Sequence, residues 1–438
     1  MSSPAEQSIP QLKQSPSCLD TSATDVQRVE FIQQTAGDGA ETRGTPAPVA
    51  KSIRLYFVDH LRAFLIILVV VHHIACTYAY GASGQWYYHD TTNALTTGIL
   101  TFLTAIDQAF FMGLFFLISA YFTPGAYDRK GTGPFLRDRL LRLGIPLLVY
   151  DILIDPFVKY MAAGFPGSYG QFYARYMLTL PGIGQGPVWF LEALLFFVAF
   201  YALWRVFSSL WSHTHSQMTT PTRYINSAYK HPYPTTGEML LFIVGLALIT
   251  FVVRIWFPIN YWFPPLNLMF GYFPQYISLF IVGLIAYRRG WFTKVPDAVG
   301  KRWLWVALLD FVLFVSLFTL MGRVGSAGSI DTFLGGLHWQ ALFYAFWEAV
   351  MCVSLCTGLL VFFRTHVNRK GKVWNFLSAN AYATYIVHPI ILVSLAYGLH
   401  FVTLYPLLKY GLAVLIAVPC CFALGALVRM IPYAKRIF

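Results

Sequence analysis

The stretch Asp59–Tyr80 reads DHLRAFLIILVVVHHIACTYAY, which is apolar enough and long enough to cross a membrane as a helix. It nevertheless carries Arg62 near its start and two adjacent histidines, His72 and His73, well inside. Ionisable side chains in hydrocarbon are costly unless they face the protein interior or water. The stretch therefore predicts a membrane helix whose polar residues face other helices of a bundle.

The composition as a whole indicates a membrane protein. Of the 438 residues, 57% are hydrophobic and only 11% are charged, whereas soluble domains are about one-quarter charged. Long apolar runs predict an all-α integral membrane protein with about ten transmembrane helices. The predicted spans are 57–80, 96–122, 143–160, 187–207, 238–258, 272–287, 303–322, 338–363, 375–398 and 405–429.

The basic residues predict the orientation of these spans. With ten helices, 25 of the 31 lysines and arginines fall on the side that holds both termini, and four fall on the other side. Positive residues concentrate in cytoplasmic loops, so both termini are predicted to be cytoplasmic. Because the basic residues sit between apolar runs rather than in one patch, the net charge of +12 does not indicate a nucleic-acid partner.

Two segments outside the spans are polar. Residues 1–50 contain few apolar side chains, which predicts a disordered cytoplasmic tail ahead of a membrane domain at 51–438. The connection at about 208–237 predicts a flexible cytoplasmic loop. The six cysteines lack the spacing of a zinc site, so no metal is predicted. Since nothing indicates a mitochondrial address, a secretory-pathway membrane is the expected location.

The opening stretch places two of its polar residues on one face. Arg62 and His73 are eleven residues apart, which is about three turns of a helix and about 16 Å along its axis. Asp59 lies on the same stripe and can pair with Arg62, whereas His72 points about 80° away. Hydrogen bonding of His73 to a neighbouring helix, and extension of Arg62 toward the membrane surface, explain these residues without chemistry.

Ionisable residues in other spans occur at a similar depth. At about 1.5 Å per residue, they lie roughly 20–24 Å from the cytoplasmic ends of their spans, and such groups are expected to face the bundle interior. The set consists of His73, Asp107, Glu192, Glu348 and His388. A shared layer predicts one site, although each residue alone is equally consistent with a structural role.

A second group lies nearer the cytoplasm, in the segment GPFLRDRLLRLGIP, residues 133–146. Arg139 and Arg142 are three residues apart and share a helix face. Their guanidinium groups suit bidentate recognition of phosphate. Contact with anionic lipids accounts for the same residues equally well.

In combination, these motifs resemble integral-membrane acyltransferase family three, and within it the glucans biosynthesis protein C-like branch. The resemblance covers about residues 54–430. It rests on Arg62 with His73, FFMGLFFLISAYF at 110–122, RLLRLGIPLL from Arg139, VWFLEALLFF from Val188 and YATYIVHPIIL from Tyr382. Ser119 is kept in the second motif, but Ala120 replaces the usual glycine, which puts close backbone packing there in doubt.

The resemblance implies transfer of an acyl group, usually acetyl, from acyl-coenzyme A to a hydroxyl of a sugar or small natural product. It implies that His73 is the essential histidine and that Arg62, Arg139 and Arg142 meet the donor. Acyl-coenzyme A is then a co-substrate, no cofactor stays bound, and membrane lipids surround the protein. Supporting roles fall to Asp59, Asp107, Ser119 and His388.

The residues suit this chemistry, with neutral His73 as a general base on the acceptor hydroxyl. Glu348 is the preferred group to orient the imidazole, and Glu192 is the second. Direct transfer and an acyl-histidine intermediate both stay open. Candidate donors to the oxyanion are Asn380, Tyr382 and Trp189. The alternative function is a multi-pass transporter that uses buried His, Asp and Glu as a proton or substrate relay.

Overall fold

The computed structural model describes residues 54–79, 87–90, 92–179, 182, 184–215, 232–264, 266–323, 329–432 and 434–437. This part of the chain is almost entirely helical and contains no β-strand, only an isolated bridge between Phe263 and Leu268. The predicted all-α membrane fold is confirmed. The predicted tail, residues 1–50, lies outside the described residues.

The helices alternate with short connections. In chain order they are α1 Tyr56–Tyr78, α2 Ala94–Tyr121, α3 Thr123–Lys130, α4 Thr132–Arg139, α5 Ile145–Val149, α6 Asp155–Ala162, α7 Tyr169–Thr179, α8 Trp189–His215, α9 Thr236–Trp256, α10 Phe273–Arg289, α11 Trp291–Lys294, α12 Asp297–Arg323, α13 Asp331–Leu334, α14 Trp339–His366, α15 Lys372–His400, α16 Pro406–Met430 and α17 Ala434–Ile437. Of the predicted loop at 208–237, residues 208–215 continue α8, and 216–231 lie outside the described residues.

Nine helical spans in the described part of the chain are long and apolar enough to cross a membrane. They correspond to nine of the ten predicted spans. Side chains of the sequence fix several of their starts: Asn93 caps α2 by accepting from the Thr96 N–H at 2.9 Å, and Thr235 and Glu238 form a capping box at α9.

The tenth predicted span, 143–160, belongs to a helical run at 132–162 that is not one regular helix. Two π-helical turns, Leu140–Gly144 and Tyr150–Ile154, separate α4, α5 and α6. Pro146 and Pro156 each lie two residues after the end of one of these turns. Because proline cannot donate to the carbonyl four residues earlier, the regular α-helical ladder is interrupted here.

This interrupted run still passes from one end of the bundle to the other. Near its start, the Phe135 ring lies 5.5 Å from that of Tyr127, beyond the end of α2. Near its end, Val158 and Met161 pack against Cys76, in the last turns of α1. Together with the nine spans, this run gives ten crossings of the bundle within the described residues.

Charged groups distinguish the two ends of the bundle. At one end, Asp128 binds Arg205 at 2.8 Å and Arg288 at 3.0 Å; we call this the basic end, and it is the predicted cytoplasmic side. At the other, which we call the far end, Asp90 binds the Lys409 ammonium at 2.8 Å. Arg62 lies toward the basic end of α1.

The central helices carry most of the predicted polar layer. In α1, α2, α14 and α15, 56–67% of the most apolar stretch is buried, whereas only 11% is buried in α12, at the periphery. His73, Asp107, Glu348 and His388 lie on these four central helices. The layer is therefore inside the protein rather than against lipid.

Close packing at Ala120 is retained by a glycine on the facing helix. A Cβ added to Gly283 of α10 would lie 2.7 Å from the Ala120 Cβ, which is closer than real side chains approach. The small residue that the second motif lacks is thus supplied from across the interface. Helices α2 and α10 therefore pack closely at Ala120, although alanine stands where the motif usually has glycine.

Candidate active site

His73 lies at the centre of a group of polar side chains, His72, His73, Tyr87, Asp107 and His388, which we call the histidine cluster. The His73 Nδ1 atom is 2.6 Å from the Tyr87 hydroxyl oxygen. The His388 ring stacks on His73 with centroids 5.3 Å apart, and the His72 ring meets it edge-on at the same separation. Side chains of α15 and of the loop after α1 thus meet this imidazole beside His72 of its own helix.

The His388 side chain is fixed by the proline that follows it. Pro389 cannot donate to the carbonyl of Tyr385, four residues earlier. The His388 Nδ1–H donates to that carbonyl at 2.7 Å instead. Because a carbonyl only accepts, the proton of neutral His388 is on Nδ1. The orientation of the His388 ring is therefore set by residues within the motif TYIVHP itself.

His72 points to a different neighbour, as the helical geometry predicts. Its Nδ1 atom lies 3.4 Å from the Asp107 carboxylate of α2, and its ring packs 4.9 Å from that of Phe111. The structure brings Asp107 into the cluster through His72 rather than through direct contact with His73. Asp107 thereby places a carboxyl group one side chain away from the candidate base.

Tyr87 is the site residue that sequence reasoning missed. It lies in the loop after α1, whose Asp90 carboxylate binds Lys409 at 2.8 Å and His400 at 3.0 Å. Burial raises the pKa of the Tyr87 hydroxyl well above its ordinary value, so the phenol stays protonated. A short polar loop has no periodicity to reveal which of its side chains turns inward.

Glu348 has another partner than the one expected. Its carboxylate forms a buried ion pair with Arg254 of α9, and the Arg254 Nε–H donates to the Gly271 carbonyl at 3.1 Å. The rings of Tyr272 and Tyr344 lie 5.0 and 5.6 Å from the guanidinium. Glu348 was predicted to orient His73. The structure instead pairs it with Arg254, whose positive charge compensates that of the Glu348 carboxylate.

The Arg254–Glu348 pair is tightly enclosed, with Arg254 only 1% and Glu348 only 5% exposed. The cavity beside it has a volume of only about 10 Å³, roughly the space of one water molecule. Arg254 lies in the last turn of α9 and is buried inside the bundle. The pair is best explained as a structural connection between α9 and α14.

Glu192, the second candidate to orient His73, lies at the start of α8 beside a tight turn. Its carboxylate packs against Gly184, and the Gly184 and Gln185 N–H groups each donate to Asp151 at 3.0 Å. Asp151 also lies within electrostatic range of Glu192. Glu192 thus belongs to the acidic surroundings of this turn.

The predicted arginines come together at the basic end. Arg139 lies within electrostatic range of both Arg62 and Arg142, and Arg62 lies within range of Asp59 and Tyr382. The side chains of Arg62 and Arg142 are exposed. This mouth, formed by α1, the interrupted run and α15, brings three guanidinium groups together, and the Arg142 Nε–H donates to Asp138 at 3.2 Å.

Tyr382 closes a gap that Pro146 leaves in this mouth. Pro146 has no N–H to donate to the Arg142 carbonyl, four residues earlier. The Tyr382 hydroxyl donates to that oxygen at 2.5 Å. The proline of the RLLRLGIPLL motif and the tyrosine of the YATYIVHPIIL motif are thus two halves of one contact between the interrupted run and α15.

Comparison with known proteins identifies the family. The family model described as an acyltransferase domain matches residues 55–426. The chain belongs to this acyltransferase family. It is 24% identical over 363 residues to glucans biosynthesis protein C of Escherichia coli strain K12 and of Shigella dysenteriae serotype 1, covering 78% of this chain and 84% of each relative. No solved structure matches the chain.

Family membership decides between the two functions that the sequence left open. The protein is a multi-pass membrane acyltransferase, so the transporter alternative is set aside. The suggested resemblance is confirmed across nearly all of the membrane part.

Within the acyltransferase, several supporting residues have defined contacts. Ser119 accepts a hydrogen bond from the Thr123 hydroxyl through its carbonyl, at 2.9 Å. Among the candidate oxyanion donors, Asn380 donates to the Phe376 carbonyl at 2.8 Å and accepts from Arg429 at 3.0 Å. The Trp189 ring stacks on Tyr276 at 5.5 Å.

Proposed function

We propose that this acyltransferase moves an acetyl group from acetyl-coenzyme A to a hydroxyl of a sugar or small natural product, with His73 as general base. The observation that carries the proposal is the contact between His73 Nδ1 and the Tyr87 hydroxyl, 2.6 Å long, in the helix that also bears Arg62. A side chain held at one ring nitrogen presents the other in a fixed direction.

Either partner of this contact can be the donor, and the proposed mechanism uses the tautomer of neutral His73 in which Nδ1 carries the proton. With the proton on Nδ1 donated to the Tyr87 oxygen, the Nε2 atom carries the lone pair that accepts the proton of the acceptor hydroxyl. The oxygen of that hydroxyl attacks the thioester carbonyl, and the proton passes to Nε2. The carbon–sulfur bond then breaks, the coenzyme A thiolate takes the proton from Nε2, and His73 returns to its neutral state.

The donor fits the three-arginine mouth. Coenzyme A is a polyanion, and guanidinium groups bind phosphate through paired hydrogen bonds. Arg62 and His73 are eleven residues apart, which corresponds to about 16 Å along α1, a distance that the extended pantetheine arm can span. Phosphates at Arg139 and Arg142 then leave the thioester beside His73.

The acceptor class is supported by the relatives and by the depth of His73. The relatives are named for glucan biosynthesis, which favours a sugar hydroxyl. Because His73 lies in the half of α1 that leads to the far end, the acceptor enters from that side or laterally from the membrane. A secretory-pathway membrane suits such an arrangement.

The test follows thiol release from acetyl-coenzyme A by the purified full chain in detergent, with a panel of sugars and lipophilic alcohols. His73→Ala is expected to lose at least about 100-fold in rate, as for removal of a general base. The adjacent His72→Ala is the matched control and should retain turnover. Equal rates in the two variants, each shown by size-exclusion chromatography to be folded, would remove His73 from the mechanism.

A further inference from the structure

Three metal-binding side chains share one arc of α1: His72, His73 and Cys76. One ligand atom from each lies within 4.8 Å of the others. At 100° per residue, Cys76 is about 40° from His72 and about 60° from His73 around the helix, one turn further along. Because side chains lean toward the helix N-terminus, the Cys76 sulfur is directed back between the two imidazoles.

Both histidines are already oriented as metal ligands usually are. A ligating histidine commonly has its other ring nitrogen held by a carboxylate or another polar group. Here His72 Nδ1 lies 3.4 Å from the Asp107 carboxylate, and His73 Nδ1 lies 2.6 Å from the Tyr87 hydroxyl. The Nε2 atoms are therefore the ones that a cation would take.

We propose that His72, His73 and Cys76 bind a borderline-soft divalent cation, with Zn²⁺ as the expected ion. The Cys76 thiol gives its proton to solvent and binds as thiolate, while both imidazoles bind neutral. The thiolate and the Asp107 carboxylate together balance the two positive charges. With Zn–N near 2.1 Å and Zn–S near 2.3 Å, the ligand atoms close by about 1 Å, within reach of side-chain rotation.

Occupation of this site and base catalysis exclude each other. The Nε2 lone pair of His73 that binds the cation is the one that accepts the hydroxyl proton. The cation therefore inhibits the enzyme reversibly, and this consequence rests on the proposed function. The binding itself does not, because it depends only on the three ligands.

Binding is tested on the full chain in detergent by equilibrium dialysis with Zn²⁺ and by the thiolate-to-metal absorption of bound Co²⁺. Wild type is expected to bind one ion at this site, and Cys76→Ser to bind at least about tenfold more weakly and to lose the Co²⁺–thiolate band. Cys352→Ser is the matched control, since Cys352 is a buried cysteine of α14 that is one turn from another cysteine, Cys356. Unchanged binding and absorption in Cys76→Ser would overturn the site.

Activity is tested separately, as thiol release with and without Zn²⁺, each variant against its own uninhibited rate. Inhibition that a chelator reverses, with a midpoint at least about tenfold higher in Cys76→Ser than in Cys352→Ser, supports the proposal. Binding without inhibition leaves the site standing and overturns His73 as the base. Loss of activity on adding chelator alone would mean that the ion is required for turnover. It would overturn the proposal that a bound ion prevents base catalysis by His73.

Discussion

The histidine cluster and the Arg254–Glu348 pair are both polar and lie in the interior, and each includes residues of the central helices, yet they differ in how charge is compensated. The pair balances a cation against an anion, and two aromatic rings and a carbonyl hold the arginine. The cluster contains three imidazoles, a phenol and only one carboxylate, and its members can exchange protons. The difference teaches that a shared depth along the helices finds the buried polar residues. The candidate active site is distinguished among them by groups that can exchange protons.

The largest expected effect comes from breaking the Arg254–Glu348 pair. Glu348→Gln leaves the Arg254 guanidinium buried without a counter-charge, which is expected to cost about 3–5 kcal/mol of stability. The measurement is the thermal denaturation midpoint in detergent, with the double variant Arg254→Met/Glu348→Leu as the control that removes both charges. A single variant as stable as wild type would show that the pair does not hold α9 to α14.

The arginines give the next contrast. Arg254 is enclosed, whereas Arg139 belongs to the open mouth, so Arg139→Gln is expected to raise the KM for acetyl-coenzyme A roughly tenfold, the value of one lost charge-assisted contact. The kcat should change little. Arg137→Gln, an exposed arginine of the same helix, is the matched control. A similar KM shift in both variants would reduce the mouth to a general electrostatic effect.

Tyr87→Phe sharpens the comparison within the cluster. Loss of the hydroxyl leaves His73 Nδ1 without this hydrogen bond, which is worth about 1 kcal/mol. We expect kcat to fall several-fold while KM and the denaturation midpoint stay near those of wild type. Tyr88→Phe in the same loop serves as the comparison. If KM rose and kcat stayed constant, Tyr87 would contact a substrate rather than position the base.

The smallest effect is expected from Asp107→Asn, which makes the same chemical change as Glu348→Gln. His72 can release its proton when its carboxylate is neutralised, whereas Arg254 cannot. The variant should therefore lose no more than about 1 kcal/mol, measured by thermal denaturation beside Glu348→Gln. Equal losses in the two variants would contradict the distinction between the two regions.

The fold was accessible from the sequence because apolar run length reports helices directly. Nine spans follow from it, and the tenth remained recognisable although two prolines interrupt it. The common helix of Arg62 and His73 also followed from spacing alone. The facing glycine at Gly283, by contrast, is apparent only when α2 and α10 are seen together.

The partners across helices were not accessible in the same way. Arg254 and Glu348 are 94 residues apart, and no local pattern links them. Tyr87 lies in a loop, where neither helical nor strand periodicity applies. One contact could have been predicted from the sequence. A proline in a helix leaves the carbonyl four residues earlier without its helical donor, and the histidine directly before the proline can bind that carbonyl, as His388 binds Tyr385.

Three side chains of helix α15 bind backbone carbonyl groups. The Tyr382 hydroxyl binds the Arg142 carbonyl, the Tyr385 hydroxyl binds that of Pro187, and His388 binds that of Tyr385. The contacts to Arg142 and Pro187 reach other elements, so the interval between the arginines of the mouth and the histidines is set by the length of α15 between Tyr382 and His388. Inserting one residue between Tyr382 and His388 would rotate the part of α15 that carries His388 by about 100° relative to the part that carries Tyr382. Backbone carbonyls keep their chemistry when side chains change, so the surfaces that select donor and acceptor can diverge while this interval stays constant.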